Sequence, residues 1–170
     1  MPKAYKITSD PFFVNGSILE TGANTFTQTE ISLPLDSLNQ EGVLVHAVYF
    51  TSSEPEQVPN NRTVVSLAVT ATSKTAVAGA NDANLIARRQ LFVSGGAAEF
   101  SGPHTVDFIG SEAPYQESDN LGLIATDNVF FAIKGANNTA AASGQFRMVC
   151  SRVRLESAAY AALVTNELTS

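Results

Sequence analysis

Tryptophan is absent, cysteine occurs once, histidine twice, and only 15% of the 170 residues are charged. Each shortage excludes something. A single cysteine, Cys150, cannot build an intrachain disulfide framework. His46, His104 and that thiol could scarcely supply the three or four nitrogen and sulfur ligands of a zinc site, and no two of them stand at ligand spacing. A cupin-like enzyme would need clustered histidine ligands, and none are clustered here. No Gly-x-Ser-x-Gly, P-loop or dinucleotide fingerprint occurs, and Gly95-Gly96 reads as a turn because no helix pattern follows it. Without tryptophan, a sugar-binding cleft would have to rely on Tyr49, Tyr115 and phenylalanines. No apolar run approaches the ~20 residues of a membrane span. The opening Met-Pro-Lys-Ala-Tyr-Lys lacks the apolar stretch of a secretory signal. The expectation is a chain made and folded inside a cell, or one already trimmed.

The shortage of charge carries a positive message as well. A typical chain is about 25% charged, and here the lysines are only Lys3, Lys6, Lys74 and Lys134. Either a hydroxyl-rich exterior suits a secreted protein, or neighbouring subunits cover much of the surface, since interface cores are depleted in charge. The net charge of −6 argues against a polybasic nucleic-acid surface.

What fills the chain is a series of short apolar-alternating runs closed by Gly, Pro, Asn or Asp. All seven prolines fall between the runs, where a missing N–H costs no ladder bond. An edge segment at 12–19, interrupted at Asn15-Gly16, precedes runs at 26–33, 43–51, 63–72, 85–93, 105–109, 121–125, 129–134 and 145–155. Residues 43–51 are dense in β-branched and aromatic residues and read as a central strand. In 63–72, Val65, Leu67, Val69 and Ala71 alternate with Val64, Ser66, Ala68 and Thr70, the period of a half-buried strand. The runs 129–134 and 145–155 flank a small, polar stretch and read as a hairpin with a mobile tip. Ser157 stands where it can cap a final helix over 157–168. Tyr160, Leu163, Val164 and Leu168 give that helix one apolar face, which must dock on its own sandwich or on a neighbour because so short a helix is marginal alone. The whole reads as one domain over 1–170, an all-β antiparallel sandwich with an extended segment at 1–20 and one short C-terminal helix.

Few residues offer chemistry. His46 sits mid-strand and reads as a satisfied strand residue. Cys150 shares a strand face with Phe146 and Met148 and reads as an inert buried thiol. Glu112, Glu117, Asp119 and Asp127, with Asn120 and Asn128 nearby, supply oxygen ligands that suit calcium. Their spacing matches no EF-hand, so the site is either a solvated acidic loop or a Ca²⁺ site, the only cofactor candidate. Arg147, Arg152 and Arg154 lie on one strand and are expected to pair with acids, within or between subunits. Sequons at Asn15, Asn61 and Asn137 predict surface loops. These residues point to no enzymatic turnover.

Eight runs, beginning at Phe26, Val43, Thr63, Leu85, Thr105, Leu121, Val129 and Gln145, match the strand count of a jelly roll. With its loop rhythm and low charge, the chain over about residues 12–155 resembles the single jelly-roll capsid proteins of tailless icosahedral viruses of archaea and bacteria. The resemblance implies a self-assembling shell subunit, made in the host cytoplasm and located in the virion. Its partners would be copies of itself and other virion proteins. The first twenty residues set only Lys3 and Lys6 against Asp10 and Glu20, so no basic arm is expected to touch the genome directly. The shell would then lie over an internal membrane or another layer. The alternative is a carbohydrate- or receptor-binding module of a fibre, pilus or surface protein, located at the cell surface or secreted.

Overall fold

The computed structural model describes residues 5–95, 105–109 and 120–169. Among these residues, ten strands and one α-helix follow in chain order. They are β1 (Tyr5–Ile7), β2 (Phe12–Leu19), β3 (Thr27–Ser32), β4 (Glu41–Ser52), β5 (Arg62–Thr70), β6 (Leu85–Ser94), β7 (Thr105–Ile109), β8 (Gly122–Ile124), β9 (Asn128–Ala136), β10 (Ser143–Leu155) and α1 (Ser157–Thr169). A 3-10 turn at Ser37–Asn39 is capped by the Asp36 carboxylate, which accepts from the Leu38 N–H at 3.0 Å.

The strands form two five-stranded antiparallel sheets. One runs β1-β10-β4-β8, with β2 also on β10; the other runs β3-β9-β5-β6-β7. β1 and β2 lie in line along the same edge of β10, the first against Val153–Leu155, the second against Ser143–Cys150. Pro11 separates them, because it has no N–H to give the ladder. From β2 to β5, and again from β8 to β10, the chain changes sheet at every connection. That alternation gives the β2-β10-β4-β8 and β3-β9-β5-β6 order of a jelly roll.

Three readings of the sequence are corrected here. The strands at 129–134 and 145–155 are not a hairpin: β9 sits between β3 and β5, and β10 between β2 and β4 in the other sheet. A short loop cannot by itself reveal whether it turns within a sheet or bridges two. The eight jelly-roll strands include β2, and β7 is the extra edge strand on β6, so the count of eight holds with a different membership. Finally, β2 runs unbroken through Asn15 and Gly16, paired with Arg147 and Phe146. Gly16 is needed there, since a Cβ would strike Ile31 and the Phe146 ring.

Inward-facing residues of both sheets make the main core, which includes Val45, Val48, Leu67, Val69, Ile133 and Met148. Phe131 packs on Phe146, with ring centroids 4.8 Å apart and tilted by 59°. Arg89 reaches across from β6 and donates from Nη1 to the Phe50 carbonyl of β4 at 2.6 Å. Residues 42–45 of β4 are buried on both faces. Val43 and Val45 face the main core, whereas Leu44 faces a second cluster under α1. This double burial explains the nearly continuous apolar run of β4.

Candidate interaction surface

The outer face of the β1-β2-β10-β4-β8 sheet is divided in two. One half lies under α1. There Leu44, Ala125, Val153 and Leu155 are buried, and Tyr160, Leu163 and Val164 are partly buried against them. The fourth residue of the expected stripe, Leu168, points away and is 74% exposed. Its place is taken by Glu167, only 6% exposed. The Glu167 carboxylate accepts from the Ala125 N–H at 3.0 Å and the Thr126 N–H at 2.8 Å, just beyond β8. Ser157 is the first helical residue rather than the cap, and its hydroxyl bonds the Gln40 side chain at 3.0 Å.

The other half of that face is open. Phe13 and Leu19 of β2 are 62% and 63% exposed, and Tyr49 of β4 is 49% exposed. Register places Asn15, Arg147 and Tyr49 in one row across three strands. Arg147 donates from Nε to Asn15 Oδ1 at 3.1 Å, and its guanidinium carbon lies 5.2 Å from the Phe13 ring centre. A shallow depression of about 810 Å³ runs over these residues, with Ser17, Thr51 and Gln145 on its floor and rim. Sequence reasoning missed this patch, because each member looks ordinary until register brings the strands together.

A second feature was also missed: carboxylates hold one end of the sandwich. Glu20, 3% exposed, accepts from the Gly135 N–H at 2.5 Å and the Ala142 N–H at 2.8 Å. Glu56 accepts from the Thr139 N–H at 2.7 Å, the Thr139 hydroxyl at 2.6 Å and the Ala140 N–H at 3.0 Å. These bonds, that of the Thr139 hydroxyl foremost, hold the Glu56 carboxyl below its ordinary value. Asn24 and Asn138 exchange side-chain and backbone bonds at 2.8 and 2.9 Å. Asn24 and Asn137 adopt positive φ, which asparagine tolerates better than most residues. The loop between β9 and β10 is thus tied to two other loops, contrary to the mobile tip expected of it.

The remaining candidates are placed as follows. His46 Nε2 bonds Ser151 Oγ at 2.9 Å on the outer face. Cys150 points the other way into the core, and burial pushes its thiol up to about 12. The two therefore form no nucleophile pair. His104, Glu112, Glu117 and Asp119 lie outside the described residues. Asp127 is exposed, and its carbonyl accepts from the Leu33 N–H at 2.7 Å. No group of three His, Cys, Asp or Glu that could hold a metal occurs among the described residues. The expected acid partners of the β10 arginines do not appear there either. Arg147 and Arg152 instead lie near the rings of Phe13 and Phe12, and the ion pair found is Lys74–Asp82 at 3.0 Å. Burial raises the Asp82 carboxyl, but the Asn84 N–H and the Lys74 ammonium outweigh it, so the net shift is downward. Asn61 and Asn137 lie in exposed turns, whereas Asn15 is an exposed strand residue, not a loop residue.

No protein-family model and no curated protein matches the chain. Comparison with solved structures finds alignments over most of the chain. Merkel cell polyomavirus VP1 in complex with disialyllactose aligns over 89% of this chain and 99% of its own, at 8% identity and a TM-score of 0.47. Apo chimpanzee polyomavirus VP1 covers the same shares at 9% identity and 0.46. Desmodium yellow mottle tymovirus aligns over 89% and 94%, at 12% identity and 0.30. These are capsid proteins of eukaryotic viruses, not of archaeal or bacterial ones. Identities and scores this low say nothing of function.

Proposed function

We propose that this chain is a non-enzymatic structural subunit that assembles with copies of itself into a viral shell. The observation that carries the reading is the open half of the outer sheet face, where exposed Phe13 and Tyr49 flank a single charge, Arg147, and exposed Leu19 lies farther along β2. Aromatic residues and arginine are the residue types enriched at association surfaces, and scarce charge marks interface cores. A jelly roll hosts many functions, so the fold alone would not carry this. The finer reading places the protein in the virion of a tailless icosahedral virus of archaea or bacteria. It is made in the host cytoplasm and accompanied by other virion proteins over a membrane or a second layer. Electron microscopy of the purified protein tests it. Closed particles of uniform size are expected, and a chain that stays monomeric at high concentration overturns it.

A second reading is favoured by one feature. The depression combines Phe13 and Tyr49 with the amides of Asn15 and Gln145 and the Arg147 guanidinium, groups that could hold a sugar. On that reading the chain is a carbohydrate- or receptor-binding module. It predicts a monomer that binds glycans and loses binding on Arg147→Ala.

A further inference from the structure

We propose that two copies of this chain join edge to edge through β2, antiparallel, about a twofold axis passing at Gly16. The inference rests on self-association in the reading above and names one of its contacts. Among the described residues, β2 pairs with β10 on one side and with no strand on the other. Proteins that stay apart guard such an edge with charge, proline or shortness. β2 has none of these: it is eight residues long, FFVNGSIL, without charge or proline. The same edge is guarded just outside β2, by Pro11 and by Lys6 of β1. In the other sheet the edge strand β3 carries Glu30, and at the far edge of the first sheet β8 spans only three residues.

The side chains select a second copy and fix its register. Phe13 and Leu19 are the large exposed apolar residues of β2, and each lies three residues from Gly16. Antiparallel pairing about Gly16 sets Phe13 of one copy opposite Leu19 of the other, on the outer face, twice. Asn15 then faces Ser17, and Val14 faces Ile18 on the core side. An axis at Asn15 would instead set Phe13 against Ser17 and Leu19 against Pro11. An axis between residues would oppose inward side chains to outward ones, which alternation forbids in a continuous sheet. Charge points the same way. The chain carries 16 acidic and 10 basic residues, so two copies repel over most approaches. Along β2 they meet without opposing charges. A twofold contact of this kind is closed and self-complementary.

The test is a charge swap at two exposed positions. The wild-type chain should sediment as a dimer or a multiple of it. Phe13→Lys with Leu19→Lys sets two ammonium groups face to face and should weaken association at least tenfold, with the far-UV circular dichroism of a folded β-sandwich kept. Phe13→Lys with Leu19→Glu pairs opposite charges and should restore the dimer. In a third variant, Asn15→Cys with Ser17→Cys should give covalent dimers under oxidation, since Cys150 is buried. Double-lysine protein that associates like wild type, or a swap that stays monomeric, overturns the proposal. Particles formed equally by wild type and the double-lysine variant overturn β2 pairing and leave the shell reading standing. Dimers that respond to the swap but never build particles do the reverse, and a monomeric wild type overturns both.

Discussion

At the residue scale, the structure leans on carboxylates that accept from backbone N–H groups. Glu167 is the only charged residue of α1 and is buried. It lies at the i+7 position of the stripe begun by Tyr160, Leu163 and Val164, one place before Leu168. Apolarity alone favoured Leu168. The deciding fact is that Ala125 and Thr126, some forty residues earlier, present N–H groups that need an acceptor. No sequence window holds both. Glu167→Ala should cost about 1–3 kcal/mol by leaving buried donors unmet, with Glu167→Gln closer to wild type, as thermal melting would show. Glu56 adds a pH dependence. Its folded value lies below the ordinary 4.5, so its bonds contribute fully above that pH and are lost as pH falls through the lowered value. Protection of the Thr139 and Ala140 N–H groups, measured against their intrinsic exchange rates, should therefore fall on acidification below about pH 4.5, before global unfolding, and unchanged protection would refute the clamp. Cys150, its thiol pushed up to about 12 by burial, should resist iodoacetamide at pH 8 until the protein unfolds.

At the scale of elements, local patterns were readable and partnership was not. Period-2 alternation and proline punctuation located the strands, because a half-buried strand writes its pleat into the sequence. β5 shows this in its first half, where Thr63, Val65 and Leu67 are buried and Val64 and Ser66 are half-buried; beyond that Ala68 and Thr70 are buried too, on the face the alternation had left outside. The double burial of Leu44 beside Val43 and Val45 could be heard in the unbroken apolar run of β4, but not what lay on its outer face. Nothing local distinguishes the β9–β10 connection from a hairpin, since the deciding contacts come from Glu20 and Glu56. The helix shows the consequence of partnership. Tyr160, Leu163 and Val164 each bury part of an apolar side chain worth roughly 1.5–3 kcal/mol when fully buried. Deleting residues 157–169 should therefore cost roughly 3–5 kcal/mol together with the Glu167 anchor. It should also bare Leu44, Val153 and Leu155, with a fall in melting temperature and new binding of a hydrophobic dye. An unchanged melting temperature would show that α1 merely rests on the sheet.

At the scale of the whole molecule, charge is sorted between the two outer faces. Around the open patch on the first sheet, Arg147 stands alone among uncharged neighbours. Alternation from the buried Thr63 and Val65 turns Arg62 to the outside of the second sheet, where Arg88 and Lys134 also face out across β6 and β9. Of the two outer sheet faces, that one is the better placed to meet a phosphate backbone. Its cations are largely committed, however. The Arg62 guanidinium carbon lies 3.6 Å from the Phe92 ring centre, and Arg88 donates to Gln90. Binding that survives physiological salt needs several phosphates neutralised at once, each releasing counterions. One exposed lysine beside two occupied arginines, on a chain of net charge −6, does not supply them. Purified protein should give no salt-sensitive retardation of DNA or RNA at neutral pH. Any weak retardation at very low salt should vanish in Arg62→Ala with Lys134→Ala. If the chain builds the proposed shell, the same balance should keep bare nucleic acid off it, because repulsion at short range exceeds what one lysine returns. A section should then show a layer or gap between shell and genome. Tight binding that weakens steeply with salt, or density joining this chain to the genome, would mean that the sorted charges do not govern what the shell encloses.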